Sequence, residues 1–226
     1  MARKLQFEVD EYYHVFNRGV EKRVIFLTPY DRERFLKLLY LCNAVHTPWL
    51  SSLQSLVNKP DIFQFEKGAS LVDIGCYCLM GNHFHLLLKE KQENGISVFM
   101  QKLSTAYTMY FNIRNQRTGS LFEGTFRARH VDSDEYLKYM FAYIHLNPIE
   151  HIEPKWKENG IQDIQKVKDY LTKYFYSSWY EYQGRVREES SILTKSAFPA
   201  YFKTRRAHEK EINNWLEFTP PTPLLF

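Results

Sequence analysis

The stretch VDIGCYCLMGNHFHLLLK, residues 72–89, decides the fold. Two apolar runs, 72–80 and 83–89, are joined by Gly81-Asn82. A two-residue link of this kind between such runs predicts a β-hairpin. In the second run His83 and His85 stand two apart, so both imidazoles share one strand face and Phe84 takes the other. Two neutral imidazoles on one face make half of a metal site.

Working outward, residues 11–18 (EYYHVFNR) read as a strand that Gly19 ends. Residues 30–45 carry Phe35, Leu36, Leu38, Leu39 and Val45 at helical spacing, with Asp31 near the start. Residues 46–70, with Pro48 and Pro60, are weakly patterned and are taken as an insertion or long loop. A helix is expected over 94–115 and a strand over 125–131 (TFRARHV), with Gly119 and Gly124 bracketing a turn between them. Asp132 and Glu135 read as a capping box opening a helix over 133–147, which Pro148 stops. This order predicts an α+β chain with a ferredoxin-like βαββαβ antiparallel sheet and one added helix. The character changes after about residue 150. Residues 152–172 are Lys-rich, 174–183 (YFYSSWYEYQ) aromatic-rich, and 186–216 read as short charged helices. A first domain over 1–150 and a mostly helical extension over 151–226 are expected, the tail TPPTPLLF (219–226) loose or clamped to a neighbour.

Composition narrows the class. A net charge of +4 permits a polyanionic partner without demanding one. The 17 Phe, 16 Tyr and 4 Trp provide faces on which unpaired bases stack, although most such rings serve a core. Three cysteines, Cys42, Cys76 and Cys78, give no disulfide framework and fit a reducing compartment. Cys76 and Cys78 share a strand face near His83, but Cys-x-Cys with no second pair is poor spacing for zinc. No apolar run approaches the roughly 20 residues of a membrane span, and the N-terminus has no signal-peptide core, so a cytoplasmic protein without membrane contact is expected.

The second half of the chemistry comes from the helix before Pro148. Tyr143 and Asn147 are four apart and share a face. An amide oxygen beside two imidazoles suits Mg²⁺ or Mn²⁺. A phosphodiester polarised there as by a Lewis acid would lie one turn from the Tyr143 hydroxyl, which could attack phosphorus and form a phosphotyrosine. Tyr136 and Tyr139 have no ligand-type residue one turn on. The plainer reading makes Tyr139 and Tyr143 core residues and Asn147 a helix cap. A tyrosine of ordinary pKa near 10 needs a base, a cation or the metal to shed its proton, and the sequence does not say which.

The segments YYHVFNRG (12–19), GCYCLMGNHFHLLLKE (75–90), GSLFEGTFRARHV (119–131) and YIHLNP (143–148) together resemble the single-tyrosine His-hydrophobic-His transposases. Within that family they are most similar to the REP-associated tyrosine transposases. The resemblance covers roughly 8–150 and extends weakly through SSWYEY (177–182). It implies a transposase acting on single-stranded DNA folded into a hairpin and cut beside its foot. His83, His85 and Asn147 would hold the divalent metal, Mg²⁺ or Mn²⁺. Tyr143 would form a 5′-phosphotyrosine and free a 3′-hydroxyl. Gly81 stands where many relatives have Pro, which alters the turn and not the ligands. The insertion and the extension leave open which hairpin is recognised and whether the protein is a monomer or homodimer.

Phosphate contacts are expected from Arg114, Arg117, Arg127 and Arg129, and from Arg18 with Lys22 and Arg23. Lys203 to Arg206 form a further basic run, equally explained as an exposed helix. Three other readings remain: a nickase that initiates replication or conjugative transfer, disfavoured because such proteins are usually longer and add helicase or primase parts; a non-catalytic or domesticated hairpin-binding protein; and a fold relative that binds RNA on its sheet.

Overall fold

The computed structural model describes residues 5–46, 50–202 and 204–217. The tail at 219–226 and Lys203 lie outside the described residues.

Strand β1 spans Tyr12–Arg18 and is followed by α1, Pro29–Cys42. Thr28 caps α1 in a reciprocal box: its hydroxyl accepts from the Asp31 backbone and the Asp31 carboxylate accepts from Thr28 N, with Pro29 opening the helix. The 46–70 segment is not wholly a loop, since it contains α2, Leu50–Val57. The hairpin follows as β2, Val72–Leu79, and β3, His83–Glu90, closed by Met80 N donating to His83 O at 2.8 Å. Helix α3 covers Gly95–Arg114, β4 covers Arg127–Val131 and α4 covers Asp134–Leu146. The cap of α4 is Ser133, whose side chain accepts from Tyr136 N; this corrects the expected Asp132–Glu135 box by one residue. Pro148 then falls inside a 3-10 turn, Asn147–His151, that continues from α4.

The four strands form one antiparallel sheet in the order β2-β3-β1-β4. This is the ferredoxin-like arrangement the element order predicted. One sheet face, with Tyr13, Val15, Tyr77, Leu79, Phe84, Leu86 and Leu88, packs on α1 and α3. The other, with Cys76, Cys78 and Leu87, packs on α4 through Leu137, Met140, Phe141 and Ile144. β2 is buried along its whole length, which is why it reads as an unbroken apolar run. Its register with β3 shifts between Ile74 and Cys76. The bulge at Gly75 inserts one residue, so Ile74 and Tyr77 both reach the α1–α3 side although they stand three positions apart.

The extension forms α5, Trp156–Asn159, α6, Ile164–Lys173, α7, Trp179–Tyr182, and α8, Arg205–Glu217. It packs on the first 150 residues along two lines. Residues 176–178 bond to the free edge of β2: Leu79 N donates to Tyr176 O at 2.9 Å and Ser178 N to Tyr77 O at 3.0 Å. That covers an edge otherwise open to pairing with another chain. On the far side of α4, Ala142, Leu146 and Ile149 bury against Trp156, Val167, Leu171, Trp179 and Ile212. Helix α4 is therefore enclosed between the sheet and the extension.

Candidate active site

The strand alternation places His14, Phe16 and Arg18 of β1 on the same sheet face as His83 and His85. Phe16 pairs with His85 on one side and Arg127 on the other; His14 pairs with Leu87 and Arg129. Tyr143 and Asn147, at the C-terminal end of α4, meet this face. The Tyr143 ring centroid lies 5.7 Å from that of His85 and 5.9 Å from that of His14, edge-on to both. Together these groups open into a cleft of about 310 Å³, whose lining includes His83, His85, Tyr143, Asn147 and Lys157, with Arg18 and Arg127 among the cations.

Each imidazole is held by a second group. Asn82 Nδ2 donates to Lys22 O at 3.1 Å, which turns Asn82 Oδ1 toward His83 Nδ1 at 2.6 Å. An amide oxygen only accepts, so Nδ1 carries the proton and Nε2 of His83 keeps its lone pair. His85 Nδ1 meets His14 Nε2 at 2.9 Å; when His85 donates there, its own Nε2 is likewise left as a base. Burial keeps these rings neutral. It pushes His83 down to about 4 and His14 down to about 3, and holds His85 well below its ordinary value, with neighbouring cations and imidazoles adding to the effect.

Asn147 divides its amide. Nδ2 donates to the Tyr143 carbonyl at 2.7 Å, so the capping role is real. Oδ1 is buried with no hydrogen-bond partner among the described residues. A buried orphan acceptor is costly unless something fills it. Asn147 lines the same cleft as the two imidazoles, and an unpartnered amide oxygen beside rings that keep basic nitrogens is a donor set that fits a divalent cation. Among the described residues no group of three or more His, Cys, Asp or Glu side chains is placed to hold a metal ion. The cysteines offer no alternative, since burial raises the thiols of Cys76 and Cys78 away from the thiolate form.

The arginines separate by face. Arg18 and Arg127 line the cleft, where Arg18 Nε lies 2.8 Å and Arg127 3.8 Å from Glu123. Arg129, on the same strand face, bonds the Tyr136 side chain and its charge lowers the pKa of His14 and Tyr143. Arg114 belongs to α3 on the opposite face, 3.8 Å from the buried Asp31 carboxylate and stacked 5.0 Å from the Tyr30 ring centroid. Arg117 is spent on its own loop, donating to Asn112 Oδ1 at 2.5 Å and Ser120 O at 3.0 Å.

Glu123, Glu150 and Lys157 of the cleft escaped the sequence reading, and so did His14, buried beside His85. His14 was visible only as an alternating strand residue, with nothing to name its partner. Glu123 carried no signal. Lys157, in the extension, places Nζ 3.4 Å from Tyr143 Oη and 4.9 Å from the centroid of its ring.

Residues 61–147 match the protein family described as Transposase IS200 like. The resemblance read from the sequence is borne out. The IS200-like segment contains His83, His85, Tyr143 and Asn147, and ends on Asn147; Lys157 lies beyond it. A solved structure of a REP-associated tyrosine transposase bound to a REP hairpin is similar in fold, with a TM-score of 0.52 at 11% identity. The likeness covers 84% of this chain and 90% of that one, a share the first 150 residues cannot supply alone. No curated protein matches the chain in sequence. No helix among the described residues is long and apolar enough to cross a membrane.

Proposed function

We propose that this transposase nicks and rejoins hairpin-flanked single-stranded DNA, with Tyr143 as its nucleophile. The observation that carries the reading is the shared cleft. The Tyr143 side chain and the orphaned Asn147 Oδ1, from residues one helical turn apart, face two neutral imidazoles amid cationic side chains. His83, His85 and Asn147 would hold the Mg²⁺ or Mn²⁺ ion, which when bound supplies Lewis-acid polarisation of the phosphodiester.

The chain's own residues account for the rest. Arg18, Arg127 and Arg129 attract the DNA backbone and orient it over the β1–β3–β4 face. Tyr143 Oη bonds to phosphorus as the bond from phosphorus to the 3′ oxygen breaks. The electron pair goes to that oxygen, which takes up a proton and leaves as a 3′-hydroxyl, while the 5′-phosphate stays on Tyr143. Attack by another 3′-hydroxyl reverses the step. The phosphotyrosine conserves the bond energy, so rejoining needs no ATP. A hairpin is the fitting partner because the similar solved structure holds one.

The test incubates the full chain with end-labelled single-stranded hairpins from DNA flanking its gene, in Mg²⁺ or Mn²⁺. A denaturant-resistant protein–DNA adduct, mapped to Tyr143 by mass spectrometry, is expected. Tight hairpin binding with no adduct would instead establish the non-catalytic reading.

A further inference from the structure

The Tyr143 proton must leave as its oxygen bonds to phosphorus, and the surroundings oppose that. Tyr143 is buried, with the rings of Tyr139, His14 and His85 packed against it. The residue needs a proton acceptor within reach of Oη. His83 and His85 have their Nδ1 atoms committed to Asn82 and His14, and their Nε2 lone pairs are the ones the proposed function gives to the divalent ion. Asn147 is an amide and Arg129 a guanidinium, and neither takes up a proton near neutrality. The Glu150 carboxylate lies 3.8 Å from Lys157 Nζ, where it steadies the ammonium once the proton has been taken up.

The geometry points to Lys157 as the group that accepts the Tyr143 proton on cleavage and returns it on rejoining; this rests on Tyr143 being the nucleophile. Nζ lies 3.4 Å from Oη, the separation of a long hydrogen bond that tightens when a substrate closes the site. The side chain starts from a fixed point, since the neighbouring Trp156 is buried against α4 and α6. Burial lowers the Lys157 pKa toward the neutral amine, while Glu150 pulls it back up. The titratable groups around it include Tyr143 from α4, Glu150 from the 3-10 turn, His83 and His85 from β3, His14 from β1 and Cys78 from β2.

The step balances. The neutral Lys157 amine takes the proton from Oη as the oxygen–phosphorus bond forms, and the bond to the 3′ oxygen breaks. That oxygen takes a proton from solvent water. On rejoining, the incoming 3′-hydroxyl gives its proton to solvent, and the departing Tyr143 oxygen takes one from the Lys157 ammonium. The residue carrying this role lies in the extension, ten positions past the end of the IS200-like segment. The extension therefore completes the site as well as enclosing α4.

The experiment measures Tyr143 adduct formation on labelled hairpins by the full chain and by Lys157→Ala, Lys157→Met and Lys157→Arg, with hairpin affinity as the check on folding. Lys157→Ala and Lys157→Met are expected to lose about a hundredfold or more in rate, the scale of general acid–base catalysis, with affinity nearly unchanged. Added ethylamine should restore part of the Lys157→Ala rate, and Lys157→Arg should stay slow because guanidinium does not accept the proton. Undiminished adduct formation by Lys157→Ala, or full activity of Lys157→Arg, overturns the assignment while leaving Tyr143 in place. No adduct from the unsubstituted chain overturns the nucleophile reading and this one with it.

Discussion

At the scale of single residues, the site works by giving one side chain two jobs or one job two side chains. Asn147 lines the cleft, caps α4 with its NH₂ and leaves its oxygen buried without a partner among the described residues. Asn82 holds both the Lys22 carbonyl and the His83 ring. Tyr143→Phe removes one oxygen and no packing surface, so it should abolish the adduct while hairpin affinity stays within about twofold; an adduct formed by that variant would remove Tyr143 from its role. The two sets of arginines should also behave differently. Arg127→Ala, at the cleft, is expected to weaken hairpin binding and flatten the salt dependence by roughly 0.7–0.9 in log–log slope. Arg114→Ala should leave that slope alone and lower stability, because it strips a cation from the buried Asp31. Equal slopes for the two variants, read from binding titrations at several salt concentrations, would contradict the face assignment.

Among the elements, α4 and β2 do most to set the site. The tyrosine and amide sit at the end of α4, and the helix is fixed along both sides, by the sheet through Met140 and Ile144 and by the extension through Ala142 and Leu146. β2 owes its register to the bulge at Gly75, where an added Cβ would meet the Phe198 ring at 2.7 Å. Gly75→Ala is expected to push Phe198 off the α4 face of the sheet and cost about 1–3 kcal/mol, the usual scale for overpacking. Urea unfolding would measure it, and an unchanged midpoint would mean the ring moves freely. The hairpin was legible because two apolar runs flank Gly81-Asn82; the bulge was not, because alternation cannot be read where every residue of a strand is buried. The α4 cap was misread by one residue, since Asp132 and Ser133 are both good caps and only the backbone path selects Ser133.

For the whole molecule, the buried histidines link stability to pH. His145 of α4 meets His208 of α8 at 3.1 Å and Ser178 at 2.9 Å, tying α4 to the end of the extension. Burial lowers His145 well below its ordinary value and His208 to about 3, as it does His14 to about 3 and His83 to about 4. Folded pKa values below the unfolded value near 6.5 mean that the unfolded chain binds more protons between about pH 6.5 and the folded values. Stability is therefore fully present above about pH 6.5 and falls as pH drops below it, by about 1.4 kcal/mol per unit for each such histidine. Urea midpoints of the metal-free protein from pH 7.5 to 5 should show a steep acid-side decline; a flat profile would mean these rings are not buried neutral. The sequence by itself determined the α+β class, the sheet order, the hairpin and the shared faces of His83 with His85 and of Tyr143 with Asn147, because local periodicity and turn chemistry act between near neighbours. Only the tertiary structure decided that His14 orients His85, that Arg114 and Arg117 stand apart from the cleft, and that Lys157 reaches Tyr143 from the extension. Those relations join residues far apart in sequence or on opposite sheet faces, and packing of α4 between sheet and extension is what brings them together or keeps them apart.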